Sequence, residues 1–243
     1  MPSKLPKDIN KLLGKAMHDY NMLVDGDRLL IGVSGGVDSL VVSWTLDLWR
    51  RKAPIHYDIH AVHLDLGFSQ NSHKPVEKQI KQLEIPYSIA HTTYGIDSYT
   101  SKPDNACFNC ARLRRKYLFD MAKKQGYSTI VLGHHKDDII ETLFINILYG
   151  GNISTMLPKQ TLFNNSLKII RPLAYLTKEQ IYSLAKLANI VPVKNPCPMS
   201  KKSKREEVRS LLDSLYKQNP KFRNNIFSSL SNVRTDYLLN HKQ

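Results

Sequence analysis

"IGVSGGVDSL" (31–40) runs from one apolar segment, through two adjacent glycines, into another. The preceding "DRLLIGV" (27–33) reads as a short buried strand, and "LVVSWTLDLWRRK" (40–52) reads as the helix that follows. Gly35 and Gly36 permit a tight turn and close backbone approach, so the first amides of the helix point at an anion with the helix dipole behind them. Ser34 and Ser39 supply hydroxyls able to donate to phosphate oxygens. Asp38 is out of place in a phosphate cradle, because two negative groups repel unless a cation separates them. A Mg²⁺ ion held by Asp38 and by phosphate oxygens reconciles the two. The spacing is neither Gly-Lys-Ser/Thr after four spacers nor Gly-x-Gly-x-x-Gly, which excludes the kinase-type phosphate loop and the dinucleotide fingerprint. The plain alternative is a glycine turn with a helix cap.

Outward from this loop, strands are expected at 55–65, 85–91, 128–133 and 166–174. Helices are expected at 8–23, 74–84, from the Cys107/Cys110 pair to Gln125, and at 137–149 and 177–189. Residues 92–106, rich in Thr, Ser, Tyr, Asp and Pro, read as a loop. Strands alternating with helices imply an α/β fold, a parallel sheet with helices on both faces, whose ligands bind beyond the carboxyl ends of the strands. The expected division is a helical N-terminal segment (1–24), the α/β domain (25–200) and a small basic helical C-terminal extension (201–243).

A chain of 243 residues with 42% hydrophobic side chains can fill the core of one large domain. No apolar stretch has the length of a membrane span, and the polar, proline-broken start lacks a signal-peptide centre, so the expected location is cytoplasmic. The formal charge of +14, from 35 basic and 21 acidic side chains, points to a polyanionic partner.

"GHHKDDIIETLF" (133–144) places His134, His135, Asp137, Asp138 and Glu141 at a strand end and helix start. The acids could simply cap the helix, or Asp137 and Asp138 could join Asp38 in one crevice. "PDNACFNCARLRRK" (103–116) carries Cys107 and Cys110, and Cys197 is the third of only three cysteines. An odd number argues against a disulfide framework. Zinc completed by a histidine, a redox disulfide and an iron–sulfur site all remain open on these residues alone.

"SGGVDS" resembles the PP-loop of the N-type ATP pyrophosphatase superfamily, with its adenine nucleotide alpha hydrolase-like fold. "CFNCARLRRKYLFDMAKKQGYSTIVLG", "GHHKDDIIETLFINILYGG", "KIIRPLAYLTKEQI" and "NPCPMSKKSKREEVRSLL" are similar to the tRNA 2-thiocytidine synthetase family of PP-loop enzymes, over about residues 20–240. The likeness departs at Val37, where that family commonly has Lys; Lys136 or another basic residue would have to supply the charge.

The resemblance implies an ATP-dependent tRNA sulfurtransferase that adenylates and then thiolates C2 of a cytidine in the anticodon loop. It implies a [4Fe-4S] cluster on Cys107, Cys110 and Cys197, and ATP with Mg²⁺ at Asp38 aided by Asp137 or Asp138. Nucleotide contacts fall on Ser34, Gly35, Gly36, Asp38, Ser39, Val62, His63, Gly133 and His134. The basic residues flanking the cysteines, Arg112, Arg114, Arg115, Lys116, Lys201, Lys202, Lys204 and Arg205, become a track for tRNA phosphates. Phe108 and Tyr149 are candidates to stack on an extruded base. A sulfide or persulfide donor, such as a cysteine desulfurase, is an implied partner, as is a homodimer; no membrane is. Two other readings are a related sulfurtransferase acting on another RNA base or a small metabolite, and a non-catalytic nucleotide- and cluster-binding RNA module.

Overall fold

The structure, a computed structural model, describes residues 2, 4–101, 103–201 and 204–239. The described residues form two compact units, one lying within 2–135 and 157–201, the other within 136–156 and 204–239.

The first unit is built on strands β1 (Asp27–Gly32), β2 (Tyr57–Asp65), β3 (Tyr87–His91), β4 (Thr129–Val131), β5 (Lys159–Leu162) and β6 (Leu167–Ile170). Their order across the sheet is β3-β2-β1-β4-β6-β5, parallel except for the antiparallel β5 edge. Side chains alternate faces along a strand, and the core divides accordingly. Leu29, Ile31, Val131 and Ile170 enter one cluster, with residues from α1 (Lys7–Asp19), α2 (Val37–Arg50), α3 (Lys74–Gln82) and α7 (Lys178–Leu187). Leu30, Ile130 and Ile169 enter the other, with Leu118, Met121 and Ala122 of α5 (Ala106–Gln125). The expected α/β sheet covered on both faces is what forms. Helix α2 is buried continuously from Ser39 to Leu48, which explains its unusually apolar sequence. Helix α1 is part of this core through Ile9, Leu13 and Ala16, although its sequence read as a separate segment.

Two elements differ from expectation. Inside the supposed loop 92–106 lies α4 (Tyr94–Ser101), whose Ser98, Thr100 and Ser101 hydroxyls donate back to carbonyls of their own helix. Their polar composition therefore misleads: the hydroxyls bond locally while Gly95 lets the helix sit against Phe68. The edge strand β5 was not expected, and it turns into β6 through Phe163, Asn164 and Asn165, all at positive φ.

The second unit consists of α6 (Lys136–Gly150), α8 (Lys204–Gln218) and α9 (Lys221–Ser229). Its core is Ile140, Val208 and Leu212, surrounded by Phe144, Ile145, Leu215, Tyr216, Ile226 and Phe227. The helix carrying the acidic motif thus belongs with the C-terminal helices. Among the described residues, no helix is long and apolar enough to cross a membrane.

Candidate active site

The glycine loop is shaped by its own side chains. Ser39 Oγ donates to the Gly36 carbonyl at 2.8 Å, the Ser34 amide donates to Ser39 Oγ at 3.2 Å, and the Gly36 amide donates to Ser34 Oγ at 3.3 Å. Ser39 therefore works first as an internal brace of the loop. Gly35 has φ +86° and lies so close to Val76 that a Cβ would meet its Cγ2 at 2.6 Å, so glycine is required on two grounds. Gly36 precedes α2 with no side-chain cap, which leaves the first amides of the helix available to an anion.

Asp38, on the first turn of α2, meets a cation from far along the chain. Lys178 Nζ donates to both its carboxylate oxygens at 2.8 and 2.9 Å. His135 Nε2, buried, lies 3.8 Å from Asp38 Oδ1. Lys178 thus brings a positive charge to the first turn of α2. Lys136 is engaged elsewhere: it donates to Asn224 Oδ1 and lies over the Phe227 ring at 5.2 Å. Gly133 packs against the same turn, where a Cβ would stand 2.8 Å from the Asp38 carbonyl carbon and oxygen and 2.9 Å from the Ser39 nitrogen. What this glycine admits is the backbone of α2. His134 accepts from Arg171 Nε at 3.3 Å, and the buried Arg171 also donates to the Leu157 carbonyl.

Beyond the carboxyl ends of β1 and β2 lies an open cleft. Val33, Ser34, Val62 and His63 line it on one side, and Arg114, Asn195 and Pro196 on another. His63 Nδ1 lies 2.8 Å from the Val33 carbonyl, tying the second strand to the phosphate loop. Burial holds the His63 pKa below the usual histidine value, so it is neutral near pH 7. The segment leading to Cys197 is anchored over the loop by the Val193 amide, which donates to the Gly35 carbonyl at 2.9 Å.

Cys107 and Cys110 lie on the first turns of α5, and Cys197 lies in the irregular segment after α7; all three are free thiols. Burial raises the pKa of Cys107, and Cys197 raises it further. Burial also raises that of Cys110; Arg114 opposes the shift, and Cys197 and Cys107 add to it. The three thiols are therefore close enough to repel one another as thiolates. At Cys110, burial and the neighbouring thiols outweigh Arg114.

The donor set bears on which centre fits. Zinc–sulfur bonds of about 2.3 Å in a tetrahedron would place thiolate sulfurs about 3.8 Å apart. Among the described residues these three sulfurs do not all come within 4.8 Å of one another. A cluster of several irons, each taking its own thiolate, spans a wider triangle. Three free thiols with no fourth cysteine suit such a cluster, which would leave one iron without a cysteine ligand.

The acidic motif of α6 is paired within its own unit. Asp137 meets Arg223 at 3.1 Å and Asp138 meets Arg205 at 3.8 Å. The buried Glu141 draws both Arg205, at 3.5 Å, and Arg209, at 2.8 Å. Arg205, expected on the tRNA track, is thus turned toward these acids, because a buried carboxylate needs a cation more than a solvated face does. Lys204 is exposed and lies over the Tyr149 ring at 4.6 Å, while the Tyr149 hydroxyl donates to Glu207. Both arms of Tyr149 are therefore occupied, whereas Phe108, beside Cys107, is 64% exposed. Arg112, Arg114, Arg115 and Lys116 are exposed on α5, with Lys116 paired to Asp120 at 3.2 Å. Lys201 lies in a short 3₁₀ turn (Pro198–Lys201), and Lys202 lies outside the described residues.

Residue-by-residue reading of the sequence missed Lys178 and Arg171, and noticed His135 without giving it a role of its own. The first two stand in "KIIRPLAYLTKEQI", a segment whose likeness to the family was visible but whose individual roles were not.

A glycine loop between a parallel strand and a helix, with an aspartate on the first helical turn, defines a PP-loop protein. The PP-loop domain model matches residues 3–215, and the chain belongs to that family. Within it, the chain belongs with the tRNA-cytidine(32) 2-sulfurtransferases. It is 37% identical to the one from Paraburkholderia phymatum, over 99% of this chain and 72% of that relative. It is 32% identical to the one from Geotalea uraniireducens, over 96% of this chain and 94% of that relative. Its fold is similar to that of the U34-tRNA thiolase NcsA from Methanococcus maripaludis, solved with its [4Fe-4S] cluster. The TM-score is 0.76 at 22% identity, covering 95% of this chain and 80% of that one.

Proposed function

We propose that the protein is an ATP-dependent tRNA sulfurtransferase that replaces the C2 oxygen of a cytidine in the anticodon loop with sulfur. The supporting observation is the cleft. Its floor is the end of β1 and the start of the phosphate loop, and its walls include Arg114 and Pro196, which adjoin the Cys110 and Cys197 positions. Phosphate-loop residues and close chain neighbours of two cysteines share one cleft, which supports a reading in which nucleotide and thiol chemistry meet there.

The α2 amides and the loop backbone would cradle the triphosphate, with Val62 and His63 lining the nucleotide's side of the cleft. Asp38 would hold Mg²⁺ once Lys178 yields, and Lys178 would then turn to a phosphate oxygen. The cytosine C2 oxygen attacks the α-phosphorus and pyrophosphate leaves, so that the oxygen departs later as part of AMP when sulfur takes its place at C2. Positive charge at the helix start and at Lys178 would stabilise the charge gathering on the phosphorus oxygens. A [4Fe-4S] cluster on Cys107, Cys110 and Cys197 would supply, when bound, an iron free to carry sulfide. Arg112, Arg114, Arg115 and Lys116, exposed beside the cysteines, would hold tRNA phosphates.

The test is nucleoside mass spectrometry of tRNA after anaerobic incubation with the iron-loaded protein, ATP, Mg²⁺ and sulfide. 2-Thiocytidine with equivalent pyrophosphate is expected. Thiolation of a different base would move the substrate assignment. Pyrophosphate release without any thiolated nucleoside, or full thiolation by Cys197→Ala, would refute the proposed chemistry.

A further inference from the structure

The carboxyl ends of β2 and β3 gather a second set of metal-ligating side chains, which sulfur transfer as described leaves unused. The parallel register pairs Asp65 with His91, so the two side chains leave the same face of the sheet. After β2 the chain turns through Gly67, at φ +79°, and returns at the start of α3, bringing His73 onto Asp65. His73 Nδ1 lies 3.1 Å from Asp65 Oδ2, and His91 Nδ1 lies 3.8 Å from the same oxygen. The two imidazoles meet edge-on with centroids 4.6 Å apart, and all three donor atoms fall within 4.8 Å of one another.

The carboxylate is held from behind. Its Oδ1 accepts from Ser72 Oγ at 2.6 Å and from the Gly67 amide at 3.2 Å, which directs Oδ2 at the imidazoles. The Asp65 carbonyl in turn accepts from the Thr92 amide and hydroxyl, locking the two strand ends together. Such support of a ligand's second oxygen is what orients metal ligands in general. A hydrogen bond from His73 to Asp65 explains one imidazole only. His91, at 3.8 Å, is beyond hydrogen-bond reach yet converges on the same atom. Zinc–ligand bonds of about 2.05 Å in a tetrahedron separate donors by roughly 3.3 Å, between the two distances seen here.

We propose that Asp65, His73 and His91 bind a divalent transition ion of the zinc class. Two imidazoles and one carboxylate suit Zn²⁺ or its neighbours and disfavour Mg²⁺ and Ca²⁺, which take oxygen. Three protein ligands leave at least one position for water. Asp65 and Ser72 also line the cleft, so the ion sits at its rim. The ligand side chains grade from 10% exposed at Asp65 through 18% at His73 to 65% at His91, which marks the side from which the ion enters. The site takes nitrogen and oxygen donors, and is chemically distinct from the three thiols.

The full-length protein, isolated anaerobically, would be titrated with Zn²⁺ by calorimetry and with Co²⁺ by absorption. One equivalent is expected, with Co²⁺ giving visible ligand-field bands and no thiolate charge-transfer intensity from this equivalent. His91→Ala and His73→Gln should each weaken binding at least about tenfold while iron content stays unchanged. The proposal is overturned by absence of a saturable equivalent, by a Co²⁺ spectrum carrying thiolate charge transfer, or by less than tenfold weakening in either variant. These readouts do not depend on tRNA thiolation, so either idea can fail alone.

Discussion

Gly133→Ala tests the link between the strand β4 end and the phosphate loop. The added methyl would sit 2.8 Å from the carbonyl carbon and oxygen of Asp38 and 2.9 Å from the Ser39 nitrogen. All three are backbone atoms of the first turn of α2, so no side chain can rotate away and the turn itself must move. Gly133 is not at positive φ, so the substitution adds contact without conformational strain. Overpacking of this kind costs about 1–3 kcal/mol, which corresponds to a fall of roughly 2–12 °C in Tm for a chain of this size. The displaced turn carries Asp38 and the open amides, so KM for ATP in pyrophosphate release should rise severalfold, beyond what lost folded protein explains. Gly26→Ala is the control: at φ +80° with nothing within 4 Å, it adds strain of about 1 kcal/mol but no contact. It should lower Tm and leave KM unchanged. An unchanged Tm and KM for Gly133→Ala, or equal KM effects for both variants, would refute the argument.

Lys178→Ala removes the cation that occupies Asp38, so half-saturation by Mg²⁺ should fall about two- to fivefold, as for a partly exposed ion pair; an unchanged or raised value argues against competition at Asp38. Lys168→Met strands the buried Asp27, whose carboxylate accepts from Lys168 Nζ at 2.7 Å, and should cost about 3–5 kcal/mol in urea unfolding; a loss under 1 kcal/mol would contradict it. Burial pushes Asp27 up, but Lys168, the Val24 amide and Ser128 together hold it below its usual 3.8. Its stabilising contribution is therefore complete above the unfolded carboxylate value and is lost as pH falls through the lower folded value, so acid unfolding of wild type should steepen below about pH 4. In Lys168→Met that acid-side steepening should shrink. Cys197→Ala should abolish iron–sulfur loading while leaving nucleotide binding within about twofold, because its neighbours Asn195 and Pro196, and not Cys197, line the cleft; retention of full iron content would remove Cys197 from the ligand set.

Much of the site was legible because its signals are local. Two glycines after an apolar run, with a serine on either side and an aspartate on the next turn, fix a phosphate-facing bend whatever surrounds it. The cysteine pair is similarly a short-range feature of one helix. Helix α4 escaped because its serines and threonines satisfy their own helix, which composition cannot distinguish from a turn. The tRNA assignment of Arg205 rested on charge in sequence, and a buried Glu141 redirected it. A buried acid inside a motif gives little sequence sign of which cation it will claim.

By itself the sequence determined the alternation of strands and helices, the bend at Gly35–Gly36 and a set of three cysteines, since periodicity and turn chemistry act over a few residues. Only the tertiary structure decided that Lys178, 140 positions along the chain, closes on Asp38. It also decided that Cys197 joins the helical pair and that Asp65, His73 and His91 meet in one place. Such encounters follow from sheet register and from which faces are buried together, and these are settled by the packing of the whole core.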